Sequence, residues 1–236
     1  MNTEELLNKI KSKGYWRVEI RPTKFEKLRI DTLSKTQELV KSCVVTMRGW
    51  DYPHWNQQNV KNKEDWVECW EDWTQFIEYW RFYRSGKFVH LFALHEDHID
   101  MEKALPLRIP SRTKHDGYLA FISATYQLTE IFEFAARLAS KSVLSGNAFI
   151  SVGLHNIKDH QLITFEANRF LHDNFVHDDD SSIVIEKEFL EQELLERGDE
   201  LALDYVIEIF EQFQWNNPPR QVLSEDQKKL RSYRLH

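Results

Sequence analysis

The chain has 236 residues, enough to bury most of its apolar surface in one large domain or two small ones. Its formal charge of −7 excludes a protein that gathers DNA, RNA or anionic membrane by overall electrostatics, although a local basic patch stays open. Only 7 Gly and 6 Pro argue against long linkers, and an aromatic share of 13% implies a densely packed interior or an added aromatic recognition surface.

The opening MNTEELLNKIKSKG reads as a polar amphipathic helix over 3–13, stopped by Gly14. It has no apolar core of the kind a signal peptide needs. No run approaches the roughly 20 apolar residues of a membrane span, so the expected location is cytoplasmic. Tyr15 to Arg21 then alternates, with Trp16, Val18 and Ile20 on one side and Arg17, Glu19 and Arg21 on the other, a half-buried strand ended by Pro22. A helix over Asp31–Lys41 follows, burying Leu33, Leu39 and Val40, and then a short strand at Val44–Met47.

The segment EYWRFYR-SG-KFVHLFAL, Glu78 to Leu94, reads as a hairpin over Ser85-Gly86. A two-residue turn there sets Tyr83 opposite Phe88, Arg81 opposite His90 and Tyr79 opposite Phe92. The competing reading is a helix through Trp73–Tyr83, since Phe76, Ile77, Trp80 and Tyr83 also share helical spacing. Tyr118–Tyr126 reads as a strand, Thr129 as an N-cap, and 130–142 as a helix with Ile131, Phe134, Ala135 and Leu138 inward. Ala148–Leu154 and Gln161–Phe165 suggest a second hairpin over HNIKDH. After it come the strand SIVIE, two acidic helices at 188–197 and 199–214 divided by Gly198, and a basic terminal helix capped by Ser224. Mostly hairpin-connected strands point to one compact α+β domain over 1–236, a mainly antiparallel sheet covered by helices.

Three groups of residues have chemistry to offer. RGWDYPHW, Arg48 to Trp55, combines an anion binder, stacking rings and titratable groups on a backbone bent by Gly49 and Pro53. A pocket wall would use Trp50 or Tyr52 to stack, Arg48 to hold an anion, and Asp51 and His54 as polar contacts. The plainer alternative is a structural loop in which Arg48 pairs with Asp51. Arg81 opposite His90, among aromatic rings, could stack on a nucleotide base or simply extend past the rings to water. Finally, the His/Asp loops, with His172, Asp173 and His177 foremost, have the right groups for a divalent metal but no metalloprotease spacing, and solvated loops are the simpler account. Cys43 and Cys69 form neither a metal knuckle nor a disulfide framework. Asp159 with Glu166-Ala167-Asn168 falls short of a nuclease site, because Asn168 stands where a lysine is needed. Phosphate-binding glycine loops and the G-x-S-x-G elbow do not occur.

YWRVEIRP, RGWDYPH, YRSGKFVHLFAL and TEIFEFAARL, in this order across about 14–215, together resemble an uncharacterised bacterial family whose chains sometimes also carry a DNA-binding domain. The resemblance implies a bacterial intracellular accessory or sensor protein, with a defence role as one conjecture, and carries over no residue roles. The expectation is a non-catalytic interaction or sensor module that works with a protein partner, with homo-oligomers open and no cofactor. A metal-dependent phosphodiesterase or hydrolase is the enzyme alternative, the only one that would call for a divalent metal. Nucleotide or single-stranded nucleic-acid binding through Arg81 is the third reading.

Overall fold

The alternating run near the N-terminus becomes the middle of the fold. In the computed structural model, which describes residues 2–74, 76–100, 115–166, 168–180 and 182–232, β1 (Tyr15–Pro22) is an interior strand of a seven-stranded antiparallel sheet. Trp16, Val18 and Ile20 are buried, as a period of two against a core requires. β2 (Val45–Thr46) and β3 (Asp51–Tyr52) pair separately as a small ribbon. The main sheet also takes β4 (Lys61–Asn62), β5 (Trp66–Trp73), β6 (Phe76–Tyr83), β7 (Phe88–Ala93), β9 (Asn147–His155) and β12 (Ile183–Leu190), in the order β12-β9-β1-β7-β6-β5-β4. β8 (Gly117–Ala120), β10 (His160–Ile163) and β11 (Val176–His177) make a three-stranded sheet, with β8 parallel to β10.

Helices cover both faces. On one, α1 (Thr3–Lys11) buries Leu6 and Ile10 against Ile77, Tyr79 and Ala93. On the other, the sheet packs in the main core with α2 (Leu33–Cys43), α3 (Phe121–Ser140), α4 (Glu191–Gln212) and α5 (Arg220–Ser232). Inward residues on α3 include Ile131, Phe134, Ala135 and Leu138, all fully buried, as helical spacing predicts. Tyr205 of α4 ties that helix to β9 by donating to the Ile150 carbonyl at 3.0 Å. Among the described residues no helix is long and apolar enough to cross a membrane.

Several elements differ from the sequence expectation, each for a local reason. Segment 76–83 is a strand, not a helix, because it pairs along its length with β5 and β7. Its turn is longer than two residues: Gly86, at φ +85°, closes a Tyr83–Gly86 turn, and Tyr83 N–H donates to the Lys87 carbonyl. A glycine-closed three-residue loop shifts the register by one. Arg81 therefore faces Val89, Trp80 faces His90, and Glu78 faces Phe92. The strand expected at Tyr118–Tyr126 stops at Ala120, and α3 starts eight residues before the supposed cap. Thr129 is inside that helix, where Thr125 and Thr129 satisfy their buried hydroxyls by donating to carbonyls four residues back. β9 and β10 do not form a hairpin, since β9 pairs with β1 and β12 while β10 joins the second sheet.

Helix ends also move. α1 ends at Lys11 with Ser12 as its cap, so Gly14 serves close approach rather than a helix stop. The acidic helices begin at Glu191, after β12, and are joined across a kink at Arg197. α5 begins at Arg220, placing Ser224 within it.

Candidate functional site

Between β3, the rim of β6 and β7, and the first turns of α3 lies a cavity of about 280 Å3, near the lower end of the range for small-molecule sites. The RGWDYPH loop forms one wall. Arg48, Trp50, Asp51, Tyr52, His54 and His90 all line this cavity, so six of the seven ligand or partner candidates are brought together. Arg81 is the exception.

The expected role of Arg48 does not survive the geometry. Its guanidinium is held bidentately by Glu130, Nε at 3.1 Å and Nη2 at 2.5 Å, and Nη2 also donates to Gln127 Oε1 at 2.9 Å. An anion would have to compete with a buried carboxylate for it. Asp51 is not Arg48's partner either, because it accepts the Thr46 hydroxyl at 2.7 Å. Trp50 is 42% exposed and meets Phe76 edge-on at 4.4 Å, while the more exposed Trp73 lies 5.7 Å from the His54 ring. His54 also accepts, through its backbone carbonyl, the indole N–H of Trp80 at 2.8 Å. The Tyr52–Pro53 peptide in this loop is cis.

Deeper in, Tyr52 and His90 are 4% and 1% exposed, with ring centroids 5.4 Å apart. His90 Nε2 is 2.6 Å from Glu78 Oε2, and with Nε2 donating there the neutral ring keeps Nδ1 as an acceptor. Tyr52 Oη and His90 Nδ1 are both buried and both lack a hydrogen-bond partner among the described residues. Buried polar atoms are seldom left this way, because each costs about 1–3 kcal/mol of uncompensated desolvation.

Carboxylates dominate the electrostatics of this wall. Burial raises the Glu130 carboxyl above its ordinary range, outweighing the Arg48 charge and hydrogen bonds. It pushes Glu96 up to about 7, against the backbone N–H groups of Glu96 and Ala120 and with the help of the Asp97 charge. Glu96 Oε1 accepts the Ala120 N–H at 3.0 Å, so the start of α3 is met by a carboxylate from within the protein. Burial first, and then the charges of Glu78 and Glu130, push the Tyr52 phenol far above its usual value.

Arg81 lies on the other face of the sheet, separated from His90 by the register shift. It stacks 5.1 Å over Trp66 and 5.0 Å over Tyr79, donates to the Tyr79 hydroxyl, and faces Glu68 at 3.6 Å. A guanidinium so engaged has little left for a base or phosphate. The His/Asp candidates do not converge: His172 and Asp173 are exposed, whereas His177 is buried with Nδ1 3.0 Å from the Gln212 carbonyl. Among the described residues no group of three or more His, Cys, Asp or Glu is placed to hold a metal ion.

A second buried node is structural. Asp97 Oδ2 accepts the Gly14 N–H at 2.8 Å and contacts His160 Nε2 at 3.0 Å, while His160 Nδ1 faces the Lys158 carbonyl at 3.0 Å. With an acceptor at each ring nitrogen, imidazolium is favoured, and Asp97 raises the His160 pKa although burial opposes it. A Cβ at Gly117 would lie 2.2 Å from His160 Nε2 and one at Gly14 2.6 Å from Asp97 Oδ2, so both positions need glycine for space.

Sequence reasoning missed Glu78, Glu130, Trp73 and Phe76, and took Glu96 only as part of a His/acid cluster after the hairpin. Glu130 left a signal: with Gln127, Ile131 and Phe134 it falls on the inward side of α3, where an acid needs a partner. Glu78 was hidden by the register. No family model matches the chain, and neither a curated protein nor a solved structure does. The motif resemblance therefore lends this site no roles, and its reading rests on geometry.

Proposed function

We propose that this chain is a non-catalytic sensor module that binds a small polar ligand in the cavity behind the RGWDYPH loop and signals occupancy to a protein partner through the exposed rim. The observation that carries the reading is the pair of buried, unpartnered polar atoms, Tyr52 Oη and His90 Nδ1, on residues that line one cavity. A ligand offering an acceptor to the phenol and a donor to the imidazole would remove both desolvation penalties. Trp50 and Trp73 support the partner half, since exposed tryptophans are frequent anchors of protein interfaces.

The test is a thermal-shift screen of the full chain against a metabolite library, followed by identification of molecules that copurify with it from its own cells. A hit should raise the Tm, alter tryptophan emission, and lose affinity in Tyr52→Phe. If no compound shifts the protein, and Trp50→Ala and Trp73→Ala leave all its cellular interactions intact, the reading fails.

A further inference from the structure

The residues around the cavity also select the charge of what enters it. Among the described residues five carboxyl groups line it, those of Asp51, Glu71, Glu78, Glu96 and Glu130, against one guanidinium, Arg48. That guanidinium is already bound by Glu130 and Gln127. Glu71 is likewise committed, accepting from the side-chain amides of Asn56 and Asn59. Glu78 differs from both. His90 engages one of its oxygens at 2.6 Å, the other has no hydrogen-bond partner among the described residues, and the side chain keeps 17% exposure. The half-used carboxylate thus sits next to Tyr52 Oη and His90 Nδ1, the two buried atoms that lack partners. The exposed Trp50 and Trp73, and Phe76, whose ring stacks on His95, also line the cavity. Aromatic rings and a half-used carboxylate in one cavity favour an ammonium, amidinium or guanidinium group over an anion.

We propose that the ligand is a small organic cation on a flat or compact apolar body, its charged group paired with Glu78 and its body held by Trp50, Trp73 and Phe76. This rests on the cavity being a ligand site, and it adds the charge class.

Benzamidine, benzamide and benzoate are probes of nearly one shape that carry positive, zero and negative charge. Titrated into the full-length chain by calorimetry and tryptophan fluorescence, benzamidine should bind at least about tenfold more tightly than benzamide, with benzoate weakest, because only the cation gains a charge-assisted hydrogen bond. Glu78→Gln should abolish the preference for benzamidine while leaving benzamide binding, and Trp50→Ala, at the exposed rim, should weaken both. Circular dichroism establishes that each variant is folded. Equal or tighter binding of benzamide or benzoate overturns the charge assignment and leaves the cavity reading standing. So does a benzamidine preference that persists in Glu78→Gln. If none of the three binds at millimolar concentration, the charge assignment also falls, and the library screen alone then decides whether the cavity takes a ligand.

Discussion

Glu68 and Glu96 are equally hidden, at 2% and 3% exposure, yet their surroundings push them in opposite directions. On the outer side of the sheet Glu68 accepts the Trp66 indole at 2.9 Å and the Tyr79 hydroxyl at 2.7 Å, with Lys63 at 3.4 Å. Burial acts against its ionisation, but these donors outweigh it and hold the carboxyl below its ordinary range. Glu96, beside the cavity, is met by backbone N–H donors, a neighbouring aspartate and the charge of Arg48, and there burial wins and the carboxyl rises to about 7. Much the same residue types, arginine, tyrosine, glutamate and tryptophan, alternate across β6 and its neighbours. On one face they close into a satisfied network. On the other they leave hydrogen-bonding capacity unspent, which is what separates packing from a site.

The sharpest way to break that contrast is at the buried ion pair on the cavity side. Arg48→Ala strands a fully buried Glu130 and should cost about 3–5 kcal/mol in urea denaturation at pH 8. The loss should shrink in acid, where Glu130 takes a proton, and adding Glu130→Gln should restore most of the stability. A loss that is small and independent of pH would mean that Glu130 is not held as an ion by Arg48.

The next effect is a slope. A carboxyl whose folded pKa is raised binds its proton more tightly in the native state, so stability falls as pH rises from the unfolded value, 4.5, to the folded one, about 7. That interval is worth about 3 kcal/mol. His160, also raised, adds a loss in the same direction above the ordinary histidine range of 6.5. Urea unfolding between pH 4.5 and 7 should therefore show stability declining with pH, and Glu96→Gln should remove most of the decline. Glu68→Gln should leave it in place, because a lowered carboxyl contributes stability that is lost only towards acid. If the slope survives Glu96→Gln, the two glutamates do not differ as described.

Which parts of this were legible beforehand follows from the range of the interactions. Amphipathic periods are local, so β1, α2 and the inward face of α3 could be read from Trp16-Val18-Ile20, Val40 and Ile131-Phe134-Leu138. The RGWDYPH loop stood out because so many functional groups fall in eight residues. Glu78 and the separation of Arg81 from His90 were lost to one residue of register, set by the φ of Gly86 and invisible in an alternating pattern. The start of α3 was misread because Tyr118–Tyr126 is rich in β-favouring residues, a preference that tertiary burial overrides while the buried threonine hydroxyls are satisfied by carbonyls four residues back. Glu96 and Glu130 belong to the cavity through contacts with residues 24 and 82 positions away, which no local pattern reports.

The smallest expected effect is the most telling. Tyr79→Phe removes a hydroxyl that donates to Glu68 and accepts from Arg81, and should cost about 1–2 kcal/mol by leaving both short of a partner. Tyr52→Phe removes a hydroxyl equally buried but with no partner among the described residues, so the ligand-free protein should be unchanged or gain up to about 1 kcal/mol. Paired urea denaturations measure both, with hydrogen exchange confirming that each variant keeps its native core. Equal losses in the two variants would mean that Tyr52 Oη is satisfied in the free protein, and the cavity would then be a well-packed wall of the fold. A loss at Tyr79 with none at Tyr52 would mark the phenol as a buried group that the folded protein holds without gain in stability, which is the condition a ligand site at this wall requires.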